Sequence, residues 1–382
     1  MQSQLAVTPM RFRRYLYNRI NWQRQMLGLV GPRGIGKSTM FLQYIKEHQA
    51  EAKMLYVSAD HTYFASHSLA ELADEFVREG GRHLLVDEIH KYANWSRELK
   101  QIHDGHPDLR VAVTGSSVLD ITKGEADLSR RMLIYHLQGL SFREYLGLFE
   151  KIEVPPFSLQ EIIEGKAVIE GVHHPIEHFQ KYLTHGYYPF GQDQNFQGIV
   201  NQVIGQTMET DIPQFANMSP ATGRKLKRLL AVIAESVPFK PKMDTLAQVI
   251  GVSRNTLPDY LLYMEKAGMI GQLRDSTGGI RGLGKVEKVY LDNPNLAYIL
   301  GNRNVDTGNV RETFFYNQMR VNNEVIASRI SDFEIDGKTF EVGGWKKGKR
   351  QIADAAEGYV VRDDTEYASG NVIPLWAFGL NY

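Results

Sequence analysis

The chain has 382 residues, of which 43% are hydrophobic and 23% charged, a length at which one hydrophobic core gives way to two or three domains and a composition that excludes a disordered or fibrous chain. Lysine plus arginine and aspartate plus glutamate both number 44, so a nucleic acid would have to be held by a local basic patch and not by overall charge. The lack of cysteine excludes disulfides, thiol catalysis and cysteine-ligated zinc and fits a reducing interior, and the 12 histidines form no metal-ligand pairing in the sequence.

The N-terminal segment carries Arg11, Arg13 and Arg14 among aromatic residues. It has neither the apolar core nor the small-residue cleavage site of a secretory signal, and no uninterrupted apolar run reaches membrane-spanning length. The expectation is a soluble, cytoplasmic protein with no membrane partner. Short apolar runs at 27–30, 54–57, 84–86, 111–113 and 132–137 then alternate with helical patterns, which predicts a parallel sheet wrapped by helices. Ligands of such open sheets bind beyond the carboxyl ends of the strands.

Directly after the first run stands Gly31-Pro32-Arg33-Gly34-Ile35-Gly36-Lys37-Ser38, followed by a helical pattern starting near Thr39. This is G-x-x-x-x-G-K-[ST], the phosphate loop of nucleoside triphosphate-binding proteins, in the strand-to-helix setting the motif requires. Glycines at 31, 34 and 36 let backbone N–H groups converge on phosphate oxygens, and the positive end of the helix adds to them. Residues 31–39 are therefore the expected ATP-binding set. Lys37 would reach the β- and γ-phosphates and the Ser38 hydroxyl would take one magnesium position.

Leu84-Leu85-Val86-Asp87-Glu88 is an apolar strand that delivers two carboxylates at its end, a Walker B pattern. Asp87 would hold magnesium, a hard cation that prefers oxygen, and Glu88, pointing differently, would polarise the water that attacks the γ-phosphate. Thr114-Gly115-Ser116-Ser117 closes the next apolar strand, where Thr114 or Ser116 could position that water; a plain strand-end turn has the same local sequence. Arg130 and Arg131 precede the last strand. An arginine there, Arg131 foremost, would stabilise phosphoryl charge in a neighbouring subunit of a homo-oligomer, and a solvated basic pair is the alternative.

Beyond Leu148 the texture changes. Pro155 and Pro156 interrupt the chain, and helical patterns run to about residue 217 with a break at His185-Gly186-Tyr187-Tyr188-Pro189. Residues 225–273 read as three helices, and the helix, Gly251-Val252 turn and helix within 246–264 resemble a helix-turn-helix in a winged-helix fold. If Ser253 caps the second helix, Pro258 falls inside it. If Thr256 caps it, Pro258 sits in the first turn and the helix is shorter. Either arrangement compromises a DNA-reading face, so DNA is not the favoured partner. Residues 289–382 mix strand signals with an amphipathic helix over 312–320. Phe333-Glu334-Ile335 and Lys338-Thr339-Phe340 flank Asp336-Gly337, a strong hairpin signal. Counting outward from that turn places Asp332 opposite Glu341 on one face, with Cβ atoms about 5 Å apart. The two carboxylates would either share a magnesium ion or be neutralised by nearby lysines.

The phosphate loop and acidic strand end, with Val113-Thr114-Gly115-Ser116-Ser117, Leu140-Ser141-Phe142-Arg143-Glu144-Tyr145-Leu146 and Ile373-Pro374-Leu375-Trp376, make nearly the whole chain resemble the bacterial and archaeal AAA-type ATPases that carry a characteristic uncharacterised C-terminal domain. The resemblance implies an α/β P-loop sheet of order 5-1-4-3-2, followed by a winged helix and a small α/β module similar to restriction endonucleases. A nuclease of that kind wants lysine two residues after Glu341. Gly343 stands there, leaving Lys346, Lys347 or Lys349 as substitutes, so nuclease activity is not expected. The expected division is 1–148 for the ATPase domain, 149–220 for a helical lid or linker, 221–288 for a winged-helix-like domain and 289–382 for the endonuclease-like module. The function implied is a magnesium-dependent ATPase, a hydrolase whose nucleotide state moves its C-terminal domains against a second subunit or an unidentified protein client. A nucleotide-regulated DNA-binding or DNA-processing protein, and a nucleotide-binding interaction module with negligible turnover, are the competing readings.

Overall fold

The structure is a computed structural model that describes residues 2–115, 128–216, 218–236, 243–275, 284–301, 305–345 and 349–382. Ser116, Ser117, Lys346 and Lys347 lie outside the described residues. The chain divides into two compact units, Met1–Gln138 and Gly139–Tyr382.

In the first unit, strands β1 (Met26–Val30), β2 (Met54–Ser58), β3 (His83–Asp87), β4 (Arg110–Gly115) and β5 (Leu133–His136) form one wholly parallel sheet in the order β2-β3-β4-β1-β5. Read from the other edge this is 5-1-4-3-2, the order the family resemblance implies. β1 and β3 are buried throughout, which is why they read as continuous apolar runs and not as alternating ones. Helices α1 (Gln2–Val7), α2 (Lys37–His48), α3 (Leu69–Arg78) and α4 (Trp95–Gly105) accompany the strands. A capping box starts α3: Ser68 accepts from the Glu71 amide while the Glu71 carboxylate accepts from Ser68 N–H. Its Leu69, Ala73 and Phe76 pack with Leu99 and Ile102 of α4 on Met26, Val30, Leu84, Val86, Val111 and Val113. The strands end at Val30, Ser58, Asp87 and Gly115, so the polar residues after them gather along one rim.

The second unit begins before the boundary expected at 148. The Ser141 hydroxyl donates to the main-chain oxygen of Tyr382 at 2.6 Å and the Tyr145 ring lies 5.7 Å from that of Tyr182, so 139–148 pack inside this unit. Helices Pro175–His185, Phe196–Gln206, Pro220–Ser236, Met243–Ile250 and Leu257–Lys266 lead to an antiparallel ribbon of β6 (Ile270–Arg274) and β7 (Val286–Leu291). Ser253 caps a single 3₁₀ turn, and the following helix starts at Leu257 with Pro258 in its first turn; this is the shorter of the two expected helices, although Thr256 makes no side-chain cap bond. After helices Pro294–Leu300 and Thr307–Met319, a mixed sheet of β8 (Ile326–Ala327), β9 (Phe333–Ile335), β10 (Lys338–Gly343), β11 (Gly358–Arg362) and β12 (Val372–Pro374) closes the unit. The hairpin between β9 and β10 pairs Ile335 with Lys338. Asp336 and Gly337 have φ of 49° and 77°, the two positive values that a type I′ turn requires and that Asp-Gly supplies cheaply.

A buried polar core organises this unit. Asp292, 2% exposed, accepts from Arg320 Nη2 at 2.5 Å and from the Tyr187 hydroxyl at 3.0 Å. Asn295 accepts from Tyr187 N–H at 2.9 Å and donates to the Tyr182 and Leu183 carbonyls. The Tyr187-Tyr188 break between helices is thus sewn to the turn after β7. Removing one partner from such a pair leaves a buried charge uncompensated. Arg320→Leu is expected to lower unfolding free energy by about 3–5 kcal/mol, and Asp292→Leu in the same chain to recover part of that loss, as measured by chemical denaturation.

Candidate nucleotide site

The phosphate loop leaves β1 at Val30 and enters α2 at Lys37. Gly34 and Gly36 hold φ of 78° and 97°, a region most side chains avoid. At Gly31 a Cβ would lie 2.2 Å from the Leu137 carbonyl oxygen, so glycine is required there by contact with the end of the neighbouring strand. Lys37 is buried and donates from Nζ to the carbonyls of Gly31 at 2.8 Å and Pro32 at 2.6 Å. Its ammonium is therefore stored on the loop it serves.

The loop is braced by a residue whose part in the site the sequence reading did not identify. Arg14, 6% exposed, donates from Nη1 to the Ile35 carbonyl at 2.5 Å and from Nη2 to the Gln138 carbonyl at 2.6 Å. One guanidinium thus clamps the middle of the phosphate loop to the chain beyond β5. Nearby, Gln43 of α2 donates to the carbonyls of Pro9 and Phe12, which straps the segment carrying Arg14 along the helix.

Asp87 ends β3, 6% exposed. Its Oδ2 accepts from the Tyr56 hydroxyl at 2.6 Å and its Oδ1 from the Thr114 hydroxyl. Tyr56 is a second residue the sequence reading passed over, as an ordinary member of an apolar run. Burial first, then the charge and hydrogen bond of Asp87, push its phenol well above the usual tyrosine range, and the adjoining Ser38 side chain opposes this, so the phenol remains a neutral donor. Thr114 is fully buried and also accepts from the Glu88 N–H at 3.1 Å. One hydroxyl therefore braces both acidic residues.

Glu88 adopts φ 52° and ψ 41°, a left-handed conformation uncommon outside glycine. This reverses the chain after the strand and separates its carboxylate from that of Asp87. Glu88 Oε2 is buried without a hydrogen-bond partner among the described residues; His90 Nε2 and Lys91 Nζ stand 3.6 and 3.7 Å away. Lys91 is itself bonded to Asp60 at 2.9 Å.

Gly31, Gly34, Gly36, Lys37, Ser38, Asp87, Glu88 and Thr114 thus gather at the carboxyl ends of β1, β3 and β4. A cradle open to backbone N–H groups, a buried lysine and a hard-oxygen pair in Ser38 and Asp87 fit a nucleoside triphosphate with magnesium. Arg131 is elsewhere: its Nε and Nη2 bond Asp104 of α4 at 2.9 and 3.0 Å in a partly exposed fork, and this arginine, then His103, holds the Asp104 carboxyl at about 2.

The hairpin carboxylates of the second unit are held by protein groups. The ladder pairs Phe333 with Phe340, and beyond it Asp332 accepts from Val342 N–H at 3.1 Å and from Lys288 Nζ at 3.0 Å. Lys288 also reaches Glu312 at 3.0 Å, and Glu341 accepts from the Ser331 hydroxyl at 2.5 Å. This lysine comes from β7. Burial, then the charge of Asp332, raises the Glu312 carboxyl. No group of three or more acidic or histidine side chains among the described residues is placed to hold a metal ion.

Replacing Arg14 by alanine removes two charge-assisted bonds and leaves the Ile35 carbonyl unpaired. Arg14→Ala is expected to lower stability by about 2–3 kcal/mol and to weaken nucleotide affinity, checked by thermal melts with and without ATP.

Residues 23–146 match the family model of an AAA domain, and residues 176–307 match that of a Domain of unknown function (DUF8612). No curated protein matches the chain at a significant level. Among solved structures, the Walker-type ATPase PABY2304 of Pyrococcus abyssi is 12% identical, with 78% of this chain and 99% of that one covered and a TM-score of 0.43. AMPPCP-bound DnaA from Aquifex aeolicus is 12% identical over 66% of this chain and 84% of its own, with a TM-score of 0.27. At such identities and scores no activity carries over from these proteins. The domain match itself spans β1 to β5 and the turns that build the nucleotide site.

Proposed function

We propose that the first unit binds ATP with magnesium and hydrolyses its terminal phosphate. The observation that carries hydrolysis, beyond binding, is the contrast between the two acids at the end of β3. Asp87 accepts a hydroxyl proton on each oxygen and is suited to a fixed place beside the cation. Glu88 keeps a buried carboxylate oxygen without a hydrogen bond among the described residues, with His90 and Lys91 at 3.6 and 3.7 Å, and is suited to accept a proton from water. Two neighbouring carboxylates given different surroundings by the fold can take different roles.

In this reading Lys37 leaves the Gly31 and Pro32 carbonyls for the β- and γ-phosphates, and the backbone of residues 31–39 surrounds them. Ser38 and Asp87 hold magnesium, which when bound neutralises charge on the transferred phosphoryl group. Glu88 orients the attacking water and receives its proton. Thr114, committed to Asp87 and the Glu88 N–H, serves by bracing both acids, which leaves water positioning to Ser116. Arg131 could act on the nucleotide of a second subunit only by exchanging Asp104 for phosphate.

We read the second unit as the part moved by nucleotide state: 149–220 as a helical lid, 221–288 as a winged-helix-like domain and 289–382 as an endonuclease-like module. A second copy or an unidentified protein client is the partner against which it works, in the cytoplasm. No helix among the described residues is long and apolar enough to cross a membrane. The competing DNA reading rests on the helices before the β6–β7 ribbon; Lys288 between Glu312 and Asp332 argues against cleavage.

Two substitutions test the catalytic assignment. Lys37→Ala is expected to abolish tight ATP binding, because it removes the charge that offsets phosphate repulsion; equal affinities by calorimetry with magnesium would place Lys37 away from phosphate. For Glu88→Gln, ATP binding should persist while turnover falls roughly 10²-fold or more. An unchanged kcat would reduce Glu88 to an ordinary strand-end residue.

A further inference from the structure

Tyr56 is the one side chain that reaches the Asp87 carboxylate from β2. Its ring rises from the middle of that strand, where it pairs with Leu85 in register while Ser58 pairs with Asp87. Its hydroxyl donates to Asp87 Oδ2 at 2.6 Å. The two hydroxyls on Asp87 come from opposite sides, Tyr56 on β2 and Thr114 on β4, so the plane of the carboxylate is fixed by both neighbouring strands.

We propose that the Tyr56 hydroxyl is a positioning group for the magnesium ion of this site, an inference that rests on the ATPase reading above. Tyr56 and Thr114 donate to Asp87 from either side and hold its carboxylate in one orientation, which leaves its remaining lone pairs for the ion and its water shell. Magnesium demands near-ideal octahedral geometry, so loss of this alignment is felt as loss of cation affinity, while phosphate contacts made by the loop and Lys37 are untouched.

The test is calorimetry of a non-hydrolysable ATP analogue with the full chain, in EDTA and in saturating magnesium. Tyr56→Phe keeps the ring and removes only the oxygen. Its affinity in EDTA should equal that of the wild type, and the tightening brought by magnesium should shrink about tenfold, the factor equivalent to one hydrogen bond to a charged group. An undiminished magnesium effect in Tyr56→Phe with normal EDTA affinity would overturn the role of Tyr56 and leave the ATPase reading standing. Absence of analogue binding by the wild type in both conditions would overturn both.

Discussion

The nucleotide site depends on how the carboxylate of Asp87 is buried. An acid so enclosed is tolerable only when its oxygens are satisfied, and the donors come from the strands on either side: Tyr56 from β2 and Thr114 from β4. Parallel pairing in register, with Ser58 beside Asp87 and Val86 beside Val113, brings these three side chains to one rim. The same Thr114 hydroxyl receives the Glu88 N–H, so the left-handed turn that frees the Glu88 carboxylate is anchored to the hub that occupies Asp87. The proposed metal side and water side of the site thus share one group of hydrogen bonds.

The phosphate loop follows a related logic. Its glycines permit the backbone path, but a permissive path is not a fixed one. Arg14 supplies the fixing, by holding the Ile35 and Gln138 carbonyls with one planar group, a geometry lysine could not reproduce. In the second unit Asp292 plays the part that Asp87 plays in the first, with Arg320 and Tyr187 as donors. There the result is a buried polar core.

The parts legible in the sequence are those whose geometry resides in a few contiguous residues. The phosphate loop, the Asp87-Glu88 strand end and the Asp336-Gly337 hairpin each carry their own backbone requirement, and each formed in the expected place. The sheet order came through family likeness, since apolar runs state that strands exist without stating their neighbours. Tyr56, Arg14 and Lys288 were illegible because their partners lie 31, 21 and 44 positions away in the chain; a tyrosine in an apolar run looks like strand filler until the neighbouring strand ends in an aspartate. The division of the two compact units at Gly139 has no local signature either: Ser141 bonds Tyr382 across 241 positions. Asp332 and Glu341 were expected near each other from the turn count, but the lysine that reaches Asp332 belongs to another sheet.

The proposed role of Glu88 requires that ATP be turned over and not only held, and phosphate release by the wild-type chain, followed at saturating ATP in magnesium and again in EDTA, decides this. Steady release of phosphate in magnesium that stops in EDTA is expected. Tight ATP binding in magnesium without any phosphate release would contradict it, and would make the chain a nucleotide-binding module.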